Sequence, residues 1–394
     1  MLPRRHLLTA GLAAPMLAPG MLRASGAPSP GVRADRIRIG QVTALTGPSS
    51  ILGREISLGI AAAFAETNRN GGVAGRLLEL LVEDDGYEPI RSIAATRKLL
   101  DEDEVFALIG ACGTPTSAAA LPLAVTAGAP FLCPFTGADW LRTPYRPNVV
   151  NLRASYAQET EAIVAHLVAD LGATRIAAFY QDDAYGRTGL QSLNRALAVR
   201  GIGLVAEGSY ERNTLAVKGA LLSIRKGQPD AVVMIGTYGP AAEFIRLARS
   251  LKLAGPFLNL SMVGTEAFAA ALGAEAVGVV VTQVVPSPAD AGSPVVANYQ
   301  AALHAQDPKA RFGYASLEGY LAGVLTTQAL RRLGGDITRD GMLAMFAQGA
   351  AFDLGGMKLR YAPGQNSGGD RVYLSQFAAD GSSSIVDRLS RSNG

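Results

Sequence analysis

The stretch Val105–Gly137 constrains this chain more than any other, because it reads as a complete strand, turn, helix and strand unit. Val105 to Ile109 is a short β-branched and apolar run, and Gly110 and Gly113 break it. Pro115 suits the first helical position with Thr114 as the N-cap, which predicts a helix to about Thr126. Gly128 ends that helix, Pro130 to Cys133 forms the next strand, and Phe135-Thr136-Gly137 lies in a second loop. Parallel strands joined in this way sit side by side, so the Thr114 turn and the Thr136 loop share one edge of a sheet.

The same grammar repeats along the chain. Strands predicted at Ile37–Thr43 and Leu77–Val82 alternate with helices, and Leu45-Thr46-Gly47-Pro48 follows the first. A second α/β half starts beyond Leu152, with a helix from Gln158 to Leu171 and strands Arg175–Tyr180, Leu204–Glu207, Ala231–Ile235, Phe257–Leu260 and Val277–Thr282. A helix from Thr214 to Lys226 lies within it, and loops after three of its strands carry Tyr185, Tyr238 and Ser261. The remaining chain supplies helices and two finishing strands, Lys358–Tyr361 and Arg371–Phe377, with a crossover near Gly364–Gly369 between them. The fold class expected is α/β, two Rossmann-like lobes with parallel-rich sheets joined by three crossovers. The expected division is a signal and linker over 1–30, a first lobe over 36–153 with 284–367, and a second over 154–283 with 368–394.

A chain of 394 residues exceeds one core, and 48% hydrophobic with 18% charged residues is ordinary for a soluble globular protein. The formal charge of +3 comes without a basic block carrying aromatics, so no nucleic-acid partner is expected. Arg4-Arg5-His6-Leu7-Leu8 and the apolar run to Leu22 read as an export signal, shorter than the ~20 residues of a bilayer span and interrupted by Pro15 and Pro19. The Arg4-Arg5 pair resembles a twin-arginine signal; plain secretory signals also carry two basic residues, so both routes stay open. A soluble periplasmic protein without membrane insertion after signal cleavage follows.

Cys112 and Cys133 lie at the ends of neighbouring strands, where a disulfide is conceivable, although two small buried hydrophobes explain them as well. His166 and His304 have no Cys, His or acidic partner at metal-ligand spacing. Gly-x-Ser-x-Gly, phosphate-loop and dinucleotide motifs are absent, so neither catalysis nor a cofactor is expected. Glu83-Asp84-Asp85 and Asp182-Asp183 read as caps after strands.

What survives is a crevice. Thr116 and Ser117 would offer free backbone N–H groups near a helix start, and Thr114 a hydroxyl, which suits a carboxylate. Tyr185 and Tyr238 would cover a ligand from the facing half, each followed by glycine.

From Arg36 to about Phe377 the chain resembles the type I periplasmic solute-binding proteins of the leucine/isoleucine/valine-binding class, which feed ABC importers. The resemblance rests on Gly40 with Thr46-Gly47-Pro48, Asn70-Gly71-Gly72, Glu83-Asp84-Asp85, Ile109-Gly110, Asp183-Ala184-Tyr185-Gly186, Pro229-Asp230-Ala231-Val232 and Thr237-Tyr238. It implies a monomer that closes on a small-molecule ligand and hands it to an inner-membrane permease. A sensory module for a membrane receptor is the alternative, and a secreted α/β enzyme a remote one. It also implies that Thr114 holds the ligand carboxylate, that Phe135, Thr136 and Gly137 form a second carboxylate loop, and that Tyr185 and Tyr238 close from the far lobe. Leu52 takes the place of the residue covering the ligand side chain. The acidic position that pairs with an ammonium falls on the uncharged Ser261. A buried ammonium without a counter-charge is costly, so the expected ligand is an acid with an apolar or aromatic body, or an amide-like relative, rather than a plain branched-chain amino acid; Glu266, a turn further on, could supply the charge and keep an amino acid open.

Overall fold

The computed structural model describes residues 29–253 and 255–390. The export signal expected over residues 1–30 lies outside the described residues apart from Ser29 and Pro30.

The first sheet is built from β1 (Arg36–Thr43), β2 (Leu77–Asp84), β3 (Ala107–Ile109), β4 (Phe131–Leu132) and β5 (Val149–Val150). They are parallel throughout, in the order β2-β1-β3-β4-β5. The connecting helices are α1 (Ser50–Arg69), α2 (Pro89–Arg97) and α3 (Thr114–Thr126). All three residues of β3 are buried, as expected of a central parallel strand covered on both faces.

Helix α4 (Tyr156–Leu171) opens the second lobe, followed by β6 (Ile176–Gln181), α5 (Ala184–Ala198), β7 (Leu204–Tyr210), α6 (Lys218–Lys226), β8 (Ala231–Ile235) and α7 (Tyr238–Ser250). Then come β9 (Phe257–Asn259), α8 (Thr265–Leu272) and β10 (Val280–Gln283). The chain next forms α9 (Pro294–Gln306), α10 (Tyr314–Leu333) and α11 (Arg339–Ala347), then β11 (Ala350–Asp353), β12 (Lys358–Tyr361), β13 (Tyr373–Phe377) and β14 (Ser383–Val386). The second sheet runs β14-β13-β10-β9-β8-β6-β7, with β13 and β14 antiparallel. The two finishing strands therefore lie in different sheets. Segment Lys358–Tyr361 pairs with Ala350–Asp353 across a tight turn in which Asp353 Oδ1 accepts from the N–H groups of Gly355 and Gly356, and Tyr373–Phe377 completes the second sheet. The helix expected from Thr214 begins only at Lys218, and that expected from Gln158 begins at Tyr156.

Helix α10 packs on α1 with glycine on each side of the contact. A Cβ on Gly59 would stand 1.9 Å from the Ser316 carbonyl oxygen, and one on Gly319 would stand 2.3 Å from that of Ile56. The segments that cross between sheets are tied to each other: Asn151 N–H donates to Asn366 O at 2.7 Å, Gly368 N–H donates to Asn151 O at 3.0 Å, and Tyr361 OH also reaches Asn151 O at 3.0 Å. In both sheets the strand order reverses direction at the first strand of the lobe, β1 or β6. The loops after β1, β3, β6 and β8 emerge at the carboxyl ends there and face each other.

Candidate functional site

Helix α3 starts one residue earlier than a Thr114 cap would give. Gly113 is its N-cap, with φ +100°, a left-handed conformation in which any side chain is strained, and a Cβ there would lie 2.2 Å from the Tyr87 ring. Thr114 is thus the first helical residue rather than the cap. That shift also spends the Ser117 N–H, which donates to Gly113 O at 3.1 Å. The Thr116 hydroxyl turns back onto the carbonyls of Cys112 and Gly113. The Ser117 hydroxyl is buried and has no hydrogen-bond partner among the described residues.

The Thr114 and Thr136 hydroxyls do meet, 2.7 Å apart, and a third joins them: Tyr156 OH is 3.2 Å from each. Tyr156 opens α4 through a capping box, in which Ser155 Oγ accepts from Gln158 N–H and Gln158 Oε1 accepts from Ser155 N–H. Gly137 is required at its position because a Cβ would stand 2.5 Å from the Tyr156 ring. Burial pushes the Tyr156 phenol up to about 12, against the pull of Arg153 and the two threonines, so it stays a hydroxyl donor. The Tyr185 ring lies 5.4 Å from that of Tyr156, and its buried hydroxyl has no partner among the described residues.

Ser261 does not face an open wall. Its hydroxyl accepts a hydrogen bond from Arg153 Nη2, and its N–H donates to Glu159 Oε2 at 2.8 Å and to Thr282 Oγ1 at 2.9 Å. The Arg153 guanidinium stacks over the Phe135 ring at 4.7 Å and has Glu159 and Glu318 at 3.7 Å each. Burial raises the Glu318 carboxyl to about 7, with Arg153 acting in the opposite direction. One guanidinium therefore joins Phe135 of the first lobe to Ser261 of the second.

Tyr238 stands apart from this cluster, at the rim, where its hydroxyl donates to Pro48 O. Leu52 is fully buried and lies on Gly264, where a Cβ would come 2.3 Å from the leucine side chain. Further contacts span the two loop sets: Gln181 Nε2 donates to Tyr87 OH at 3.3 Å, and Arg212 and Asn213 both grip Glu88, each at 2.7 Å. The lobes are closed on one another.

Cys112 and Cys133 are free and buried, and burial pushes both thiols up. Asp183 caps α5 by accepting from Tyr185 N–H, and Asp85 accepts from Tyr87 N–H and Ser92 Oγ, so the acidic clusters hold turns. His166 pairs with Asp170 and His304 packs on Phe312. No group of His, Cys, Asp and Glu suited to a metal is present among the described residues. Nor is any described helix long and apolar enough to cross a membrane.

Two carboxyls near Leu52 and Gly264 define a pH response. Glu266 on α8 accepts from Tyr314 N–H at the start of α10, and burial raises its carboxyl to about 7; burial, then the neighbouring Glu266, raises Glu55 on α1 to about 8. Both keep a proton in the folded state at pH values where the unfolded chain has released it, and Glu318 acts with the same sign. Stability therefore falls as pH rises from about 4.5 to about 8. Thermal melts across that range are expected to show a declining midpoint, and Glu55→Gln with Glu266→Gln a shallower decline; an equal slope in the double variant contradicts the assignment.

Two parallel-rich α/β lobes, crossed three times by the chain and closed over buried hydroxyls, define a two-lobed ligand-binding fold. The chain belongs to the periplasmic binding protein family, whose profile matches residues 36–382, and within it resembles the leucine/isoleucine/valine-binding type. A solved structure described as a possible leucine/isoleucine/valine-binding protein from Rhodopirellula baltica is 37% identical, with a TM-score of 0.86 over 93% of this chain and 100% of that one. The substrate-binding periplasmic protein from Ralstonia solanacearum is 26% identical, with a TM-score of 0.83 over 89% of this chain and 100% of the other. Leu/Ile/Val-binding protein homolog 7 of Brucella abortus is 25% identical over 253 residues, 62% of this chain and 60% of that relative's length. These family members and neighbours are solute-binding proteins rather than enzymes.

The sequence pointed to Thr114, Thr136 and Tyr185 but missed Tyr156, Arg153, Glu159 and Glu318. The Ser155-x-x-Gln158 capping box was a legible signal for Tyr156 at a helix start. Arg153 and Glu318 carried none, because they meet only once α10 returns to the first lobe.

Proposed function

We propose that this protein is exported to the periplasm, captures a small carboxylate-bearing molecule with an apolar or aromatic body between its lobes, and delivers it as a monomer to an inner-membrane ABC permease. One observation carries the reading: the Thr114, Thr136 and Tyr156 hydroxyls converge where the lobes face each other, with the Ser117 and Tyr185 hydroxyls buried and unpaired among the described residues. Buried hydroxyls that lack partners are costly, and a carboxylate supplies acceptors for them. The ligand docks on the Thr114 and Phe135–Gly137 segments of the lobe formed by 36–153 with 284–367. Tyr185 and Ser261, from 154–283 with 368–394, then close over it, while Tyr238 of the same lobe closes the rim on Pro48 and Leu52 lines the apolar side. Two or three charge-assisted hydrogen bonds of about 1.5–3 kcal/mol each, with roughly 100–150 Å² of apolar surface buried at about 25 cal/mol/Å², cover the roughly 8 kcal/mol of micromolar binding before association costs. Ligand shifts the open and closed populations only through these differential contacts. No cofactor or catalytic step is involved.

Native mass spectrometry of freshly purified protein is expected to reveal a retained acid of low mass, with scattering showing compaction when that acid is added back. Turnover of the bound compound, or an unchanged radius of gyration, contradicts the reading. The Arg212 and Asn213 contacts to Glu88 span the two loop sets. Arg212→Ala is expected to speed ligand release about 3- to 10-fold, the loss of two partly exposed ion pairs, to Glu88 and Asp183, with docking chemistry unaltered. Stopped-flow displacement measures this, and an unchanged release rate removes the clasp from the closing energy.

A further inference from the structure

Three features of Arg153 set it apart from an ordinary structural arginine. It is 1% exposed, it touches one cleft residue from each lobe, Phe135 and Ser261, and its Nε and Nη1 have no hydrogen-bond partner among the described residues. Glu159 and Glu318, each at 3.7 Å, offset its charge without accepting from those nitrogens, and Glu159 Oε2 is already occupied by Ser261 N–H and Thr282 Oγ1. Guanidinium N–H groups left unpaired in a buried place cost free energy, and the loss is recovered when an oxygen acceptor meets them.

We infer that Arg153 reads the ligand's second polar group, so that the cleft selects acids carrying a carbonyl or carboxyl oxygen where an amino acid carries its ammonium. The inference rests on the capture reading above and sharpens its ligand class. A ligand ammonium beside Ser261 would set donor against donor, because the guanidinium bonded to that hydroxyl carries only N–H groups and already offsets Glu159 and Glu318. An oxygen acceptor in the same place takes Nη1 or Nε while the carboxylate at the other end lies on Thr114, Thr136 and Tyr156. The Phe135 ring lies against the guanidinium, 4.7 Å from ring centroid to Cζ, and restrains the fork from that side.

The test is calorimetric titration of the purified, ligand-stripped protein with two matched sets: 4-methyl-2-oxopentanoate, 4-methylpentanoate and L-leucine, and phenylpyruvate, 3-phenylpropanoate and L-phenylalanine. In at least one set the 2-oxo acid is expected to bind about 10- to 100-fold tighter than the plain acid, with the amino acid weakest. Arg153→Lys keeps the charge but removes the fork, and is expected to abolish the 2-oxo preference while plain-acid binding persists. Should that variant fail to fold, the wild-type ranking alone decides. Amino acids binding as tightly as the 2-oxo acids, or a 2-oxo preference that survives Arg153→Lys, overturns the inference and leaves the capture reading standing. If no acid of either set binds, the capture reading falls and this inference falls with it.

Discussion

A Thr114→Val protein is expected to bind its acid ligand about 10- to 100-fold more weakly than wild type, with folding little changed. The hydroxyl removed is the one on the first turn of α3, 2.7 Å from Thr136 Oγ1 and 3.2 Å from Tyr156 OH. In its absence those two remain paired with each other at 3.2 Å, so no buried group loses its last partner. The loss falls on the bound carboxylate, which forfeits one charge-assisted hydrogen bond of about 1.5–3 kcal/mol. Titration with the acid that binds wild type most tightly measures it. Thr126→Val, at the far end of the same helix and bonded only to Pro122 O, is the control with unchanged affinity. Equal affinities in the two variants would show that α3 presents no docking group.

The second large effect concerns stability. Gly59→Val is expected to cost at least about 3 kcal/mol or to prevent folding, because its Cβ would stand 1.9 Å from Ser316 O and 2.7 Å from Tyr320 N, both backbone atoms of a helix that cannot shift alone. Gly323→Ala is the milder neighbour, its Cβ meeting the Ala63 methyl at 2.6 Å. Gly335→Ala, with nothing within 4 Å, is expected to stay within about 0.5 kcal/mol of wild type. Urea midpoints for the three variants give the series, and a folded Gly59→Val protein of wild-type midpoint would show that α1 and α10 are not held at this distance.

The two effects mark how far sequence reasoning reaches. Thr114 and Thr136 were legible because strand, turn and helix punctuation alone places successive parallel strand ends together, whichever residues follow. The cap was misread by one residue because a threonine before proline satisfies the usual preference, while the need for glycine at 113 comes partly from the Tyr87 ring, which belongs to another loop and leaves no room for a Cβ. Tyr238 was assigned a direct role from its position after β8, yet its hydroxyl is used against Pro48 across the rim. Ser261 was read by its own lack of charge. Its environment is supplied by Arg153, Glu159 and Glu318, one from the crossing segment and two from helices of different lobes, and no local pattern encodes such a meeting.

The antiparallel β13 and β14 at the edge of the second sheet also govern the order in which the molecule can be finished. The first lobe waits for α10, and the second has an open flank at β10 until Tyr373–Phe377 arrives. A chain synthesised amino end first therefore carries two unfinished halves until α10 emerges, and one until Tyr373–Phe377 follows. A truncation ahead of Tyr373 strands β10 with unpaired backbone groups, a template for pairing with other chains. Tags and fusions placed before that point would leave the edge unsealed, whereas those placed after Val386 leave the sheet whole.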